Sequence, residues 1–84
     1  MESEAHVFAE EAIRALGRKD VPSARMAIAQ AFDVDRKLGS LADVIHLACW
    51  EIEEKERVST ATWNTLADAV DSAELAALVE STRD

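Results

Sequence analysis

His46, Cys49 and Glu53 recur at intervals of three and four residues, so on a helix they form one row that could face a metal ion. A structural zinc site needs four ligands, usually thiolate or imidazole, with a second pair elsewhere in the chain. Cys49 is the sole cysteine and His6 the only other histidine, so that set cannot be completed. A ferritin-like di-iron site needs a glutamate three residues before a histidine on each of two helices. Neither histidine has one. The reading is a boundary histidine beside a packed cysteine, with no metal and no cofactor. Cys49 as a nucleophile would need a histidine base and a group to orient it, and a partly apolar setting raises a thiol's pKa. The two glycines, Gly17 and Gly39, stand alone and make no phosphate loop. Glu51, Glu53, Glu54 and Glu56 read as a solvated helix end, not an acid–base pair in a cleft. No enzyme is expected.

The helix that must carry this row, around residues 40–52, is apolar on more than one side. Leu41, Val44, Ile45, Ala48 and Ile52 form its main face, with Cys49 beside it. Leu47 and Trp50 lie one turn apart on the opposite side, together with Asp43 and Glu54. Tryptophan is enriched at binding hot spots, and an exposed indole among charges suits a contact surface. A central helix in a small domain is often buried on two sides, so a fourth or fifth helix folding back over Leu47 and Trp50 is the commoner arrangement.

The chain as a whole bounds what these residues can do. Eighty-four residues make one domain, 1–84, just above the size at which small domains need staples, and one cysteine allows no internal disulfide. The acidic start is unlike a signal peptide, and no apolar run reaches the ~20 residues of a membrane span. A cytoplasmic protein off the membrane is expected. The net charge is −8, and residues 38–84 carry seven of those excess negative charges. Nucleic acid would be repelled, whereas a partner with basic flanks would be steered in. An acidic surface that simply keeps a small protein in solution is the favoured account of that charge.

One proline, two glycines and abundant alanine with Leu, Glu and Arg specify an all-α fold. Helical periodicity places five short helices at about 4–18, 21–34, 41–55, 60–70 and 72–81. Ser3 caps the first, whose core face is Ala5, Phe8, Ala9, Ala12, Ala15 and Leu16, with Ile13 at its margin and His6 and Glu10 on the other side. Asp20 caps the second, and Pro22 sits in its first turn, where no N–H is missed. The short loop before it makes the first two helices an antiparallel hairpin. Gly39 reads as a helix stop and Ser40 as the cap of the third helix. Val58 and Trp63 staple the fourth around the Ser59 cap, while Asp71 and Glu74 read as a capping box for the fifth. Residues 81–84 should fray.

On the second helix Ala24 and Ala31 lie two turns apart with Ile28 between them, and on the first Phe8 and Ala12 lie one turn apart; with these residues the first hairpin resembles a tetratricopeptide repeat over residues 5–38. Ala24 and Ala31 match that family's small packing positions, Ile28 the large residue between them, Phe8 its aromatic position and Ala12 its small one; Ala15 and Arg36 depart from the usual tyrosine and proline. A repeat of about 34 residues would start a second unit at residue 39. The resemblance implies antiparallel hairpins forming a degenerate pair with a closing C-terminal helix. In its register Asp43, Leu47 and Trp50 face a peptide-binding groove, with His6, Ala9, Glu10 and Ile13 as counterparts on the first helix. Residues 32–41 are also similar to the segment of acyl carrier proteins that attaches phosphopantetheine to a serine, here Ser40. The function implied first is a non-enzymatic protein–protein interaction module that takes a helical or extended segment of a partner. An acyl-carrier-like protein modified at Ser40 and a homodimerising structural protein are the alternatives.

Overall fold

A computed structural model of the chain describes residues 3–83. Five α-helices follow in order: α1 (Glu4–Gly17), α2 (Val21–Val34), α3 (Gly39–Lys55), α4 (Thr60–Ala69) and α5 (Ala73–Thr82), with one turn of 3-10 helix at Arg36–Leu38 before α3. No strand occurs among the described residues.

Side-chain caps set four of the five starts. Ser3 Oγ accepts from the His6 N–H at 3.1 Å, Asp20 Oδ1 from the Ser23 N–H at 3.3 Å, Ser59 Oγ from the Thr62 N–H at 3.2 Å and Ser72 Oγ from the Leu75 N–H at 3.1 Å. Each satisfies a donor that the first turn of a helix leaves without a partner. The fifth helix is therefore capped by Ser72, not by the expected Asp71. The third start also differs from expectation. Asp35 Oδ1 accepts from the Lys37 N–H and winds the 3-10 turn, which leads straight into α3. Gly39 is thus the first residue of α3 rather than a helix stop, and Ser40 lies inside the first turn, which has no side-chain cap. Two left-handed residues mark helix ends: Lys19 (φ 60°) follows α1 and Glu56 (φ 64°) terminates α3. Ser81 and Thr82, expected to fray, remain in α5; Asp84 lies outside the described residues.

Small residues dominate the first hairpin. Ala5, Ala9, Ala12 and Ala15 of α1 and Ala24, Ala27 and Ala31 of α2 are all buried, so the two backbones approach closely along their length. Ile13, Leu16, Ile28, Leu41, Ile45, Leu66, Leu75 and Val79 supply the fully buried volume that ties all five helices into one core. Each helix packs on the next in sequence, and α5 returns to pack on α1. The helices therefore form a closed ring. In that ring α3 lies between α2 and α4, touches α1 only slightly and keeps one face outside.

Candidate functional site

α3 turns Leu41, Ile45, Ala48, Cys49 and Ile52 inward, all of them buried. At about 100° per residue, Asp43, Leu47, Trp50 and Glu54 fall within a narrow stripe on the opposite side. All four are exposed. Leu47 retains 45% of its accessible surface and Trp50 48%, so neither α4 nor α5 folds back over them. The Lys55 ammonium sits 5.8 Å from the centre of the Trp50 ring, near the outer limit of a cation–π contact, and does not cover it. Among the described residues, Val7, Met26 and Val34 are the other large apolar side chains left exposed. No two of them are spaced as helix neighbours, and scattered exposed side chains of that kind are ordinary. Leu47 and Trp50 are the adjacent pair.

Two tethers fix the orientation of this stripe. Arg25 of α2 reaches Glu53 of α3 at 2.7 Å across the surface. Two residues away, on the other flank of the stripe, Glu51 is buried and clasps the start of α4. Its Oε1 accepts from the Ser59 N–H at 2.9 Å, and its Oε2 accepts from the Thr62 hydroxyl at 2.8 Å. The Ser59 hydroxyl lies 3.2 Å from the same Oε2 and 3.0 Å from the Thr62 oxygen, and its single proton can serve one of them at a time. Burial pushes the Glu51 carboxyl up, but the hydrogen bonds from Ser59 and Thr62, with the nearby Lys55 charge, outweigh it and hold the group below its ordinary value. Glu51 is therefore a structural acceptor rather than part of a solvated acidic end. The cue was available in the helical spacing. Glu51 lies seven residues beyond Val44, two turns along the same inward side.

The remaining residues named from the sequence are dispersed. Ile13, expected to face the groove from the first helix, is fully buried and cannot join the contact surface. His6 and Glu10 are half-buried and face α5 instead: His6 Nε2 lies 2.8 Å from Glu10 and 3.4 Å from Glu74. The reason is the ring closure, which lays α5 along the side of α1 that an open repeat would leave free. The His46–Cys49–Glu53 row is split between environments. His46 is exposed, Cys49 is fully buried, and Glu53 is engaged by Arg25. Burial first, and the Glu53 charge after it, raise the Cys49 thiol's pKa despite the opposing effect of Arg25. A buried neutral thiol of this kind is a poor nucleophile. Ser40 is exposed in the first turn of α3.

Among the described residues no helix is long and apolar enough to cross a membrane. Searches of this chain against protein-family models, curated proteins and solved structures find no match.

Proposed function

We propose that this chain is a non-enzymatic protein-interaction module whose docking surface is the outer face of α3, formed by Asp43, Leu47, Trp50 and Glu54. The observation that carries the reading is the half-exposed Leu47–Trp50 pair one turn apart, on a helix held by tethers at Glu51 and Glu53. An aromatic side chain buries roughly 150–250 Å² when fully covered. Covering the free half of Trp50 is then worth about 2.5 kcal/mol at roughly 25 cal/mol per Å². That is the size of a hot spot.

Asp43 and Glu54 end the apolar strip with negative charge, and residues 38–84 carry most of the net −8. A helical or extended segment with apolar anchors and basic flanks is the complementary partner. The same charges disfavour a symmetric dimer across this face, because acidic ends of two copies would be brought together. The buried Ala24, Ile28 and Ala31 support a degenerate tetratricopeptide origin for the α1–α2 hairpin. The return of α5 onto α1 departs from an open array of such repeats and moves the free surface to α3 alone.

The test is selection of binders from a displayed library of amphipathic peptides with Lys/Arg-rich flanks, followed by titration of the peptides with wild-type and Trp50→Ala protein. The expected loss is about 50-fold or more in affinity, from the 2.5 kcal/mol above, with a shift in Trp50 emission and weaker binding as salt is raised. Binders that are indifferent to Trp50→Ala and Leu47→Ala would defeat the reading.

A further inference from the structure

Ring closure brings together three metal-ligating side chains that lie far apart in the chain. His6 and Glu10 sit one turn apart on α1, and Glu74 comes from the first turn of α5. One ligand atom from each lies within 4.8 Å of the others. The two resolved separations from His6 Nε2 are 2.8 Å to Glu10 Oε1 and 3.4 Å to Glu74 Oε2. Adjacent ligand atoms around a tetrahedral ion at about 2.0–2.2 Å are themselves about 3.4 Å apart. We propose that His6, Glu10 and Glu74 form an open, three-ligand binding site for a divalent transition-metal ion of the zinc class, which bridges α1 and α5.

The surroundings fit such a site. His6 and Glu10 are largely screened from solvent, with side-chain exposures of 16% and 19%, whereas Glu74 is 74% exposed. Two ligands are thus preset on one rigid helix, and the third can swing in from solvent by side-chain rotation. Arg14 lies 3.3 Å from Glu10 Oε2, whereas His6 Nε2 lies against Oε1, so the guanidinium holds the carboxylate by its other oxygen. Ligating carboxylates are commonly held this way by a neighbouring donor. Glu10 and Glu74 also line a surface groove between α1 and α5, so both carboxylates can be reached by an ion from solvent. One imidazole with two carboxylates selects zinc, cobalt or nickel over magnesium and calcium, which prefer all-oxygen sets.

The competing account is a plain ion pair between a protonated His6 and the two carboxylates, and the two accounts differ in their response to metal. Tag-free protein stripped with a chelator is titrated with zinc chloride by calorimetry and melted with and without zinc. Cobalt chloride supplies a visible absorption readout. The expected result is saturable one-to-one binding and a higher Tm with zinc, no effect of magnesium, and loss of both zinc effects in His6→Gln and in Glu74→Gln. Melting those variants in chelator checks that they are folded, and His46→Gln serves as the control that keeps the site. No saturable zinc binding by the wild type overturns the proposal. So does binding that survives both ligand substitutions, or binding that disappears with His46→Gln.

Discussion

Replacing Glu51 with alanine should be the most damaging single change to a charged residue in this protein. The carboxylate accepts from the Ser59 N–H and the buried Thr62 hydroxyl at 2.9 and 2.8 Å, so the substitution removes two charge-assisted hydrogen bonds that join α3 to α4. Hydrogen bonds to charged groups contribute roughly 1.5–3 kcal/mol each. Part is recovered, because Thr62 can turn to Ser59 Oγ and the half-buried Ser59 N–H can find water. A net loss of about 2–3 kcal/mol follows, out of the roughly 4–12 kcal/mol available to a domain of this size. At about 4–8 °C per kcal/mol, Tm falls by about 10–20 °C. Glu51→Gln keeps an acceptor for the Ser59 N–H and should cost about 1 kcal/mol. The pH dependence has a definite sign. A carboxyl held below its unfolded value contributes stability that is present above that value and is lost as pH falls through the folded one. The gap between wild type and Glu51→Gln should therefore stay constant from neutral pH to about 5 and close at lower pH, below the ordinary glutamate value. Urea melts followed by circular dichroism at several pH values supply both quantities. An alanine variant within about 0.5 kcal/mol of wild type, the size of an ordinary surface substitution, would refute the clasp.

Three further outcomes follow from the coordinates. Cys49, fully buried with a raised thiol pKa, should resist a disulfide reagent in the native protein at pH 8 and react fully in denaturant; stoichiometric reaction on mixing would contradict its placement. Glu56 ends α3 in the left-handed region at φ 64°, so Glu56→Gly should raise Tm by a few degrees. The relief of strain, about 1–2 kcal/mol, is partly offset by the glycine entropy of about 0.5–1 kcal/mol. Ser40 should gain no mass when the protein is incubated with a broad-specificity phosphopantetheinyl transferase, and a prosthetic-group mass there would revive the carrier reading.

The five helices were legible because their signals are local. Caps at Ser3, Asp20 and Ser59 and the inward alanines of α1 and α2 all act within a turn or two of the backbone. The α3 start was misread because Gly39 and Ser40 carry the usual marks of a boundary, while the decisive side chain, Asp35, lies further back and caps the 3-10 turn. Glu51 was misread because its partners lie eight and eleven residues away, across a chain reversal. The meeting of His6 and Glu10 with Glu74 was missed for the same reason on a longer scale. Nothing in the chain near His6 announces that α5 will return to it, and ring closure is a property of the whole packing. The α3 stripe could be drawn from periodicity, but whether a neighbour covered it could not.

That last question decides what Leu47 and Trp50 are for, and stability measurements can answer it without a partner. If the pair belonged to the core, truncating it would cost what core truncation costs; Ile45→Ala, at a site with no exposure, should cost about 2–5 kcal/mol. If instead the pair rests on the outside, only its covered half contributes to folding. That half of Trp50 amounts to about 100 Å², or about 2.5 kcal/mol, and the stem of a glutamine restores a good part of it. Leu47→Gln with Trp50→Gln should then lose about 1.5 kcal/mol in total on the same scale, less than Ile45→Ala alone. The double variant should keep its helical circular dichroism and a cooperative melt. A double variant that loses more than Ile45→Ala would place the indole in service of the fold and leave the outer face of α3 without a docking role. A small loss, with peptide binding gone, separates the two demands on this helix: one side holds the ring together, and the other is free to be recognised.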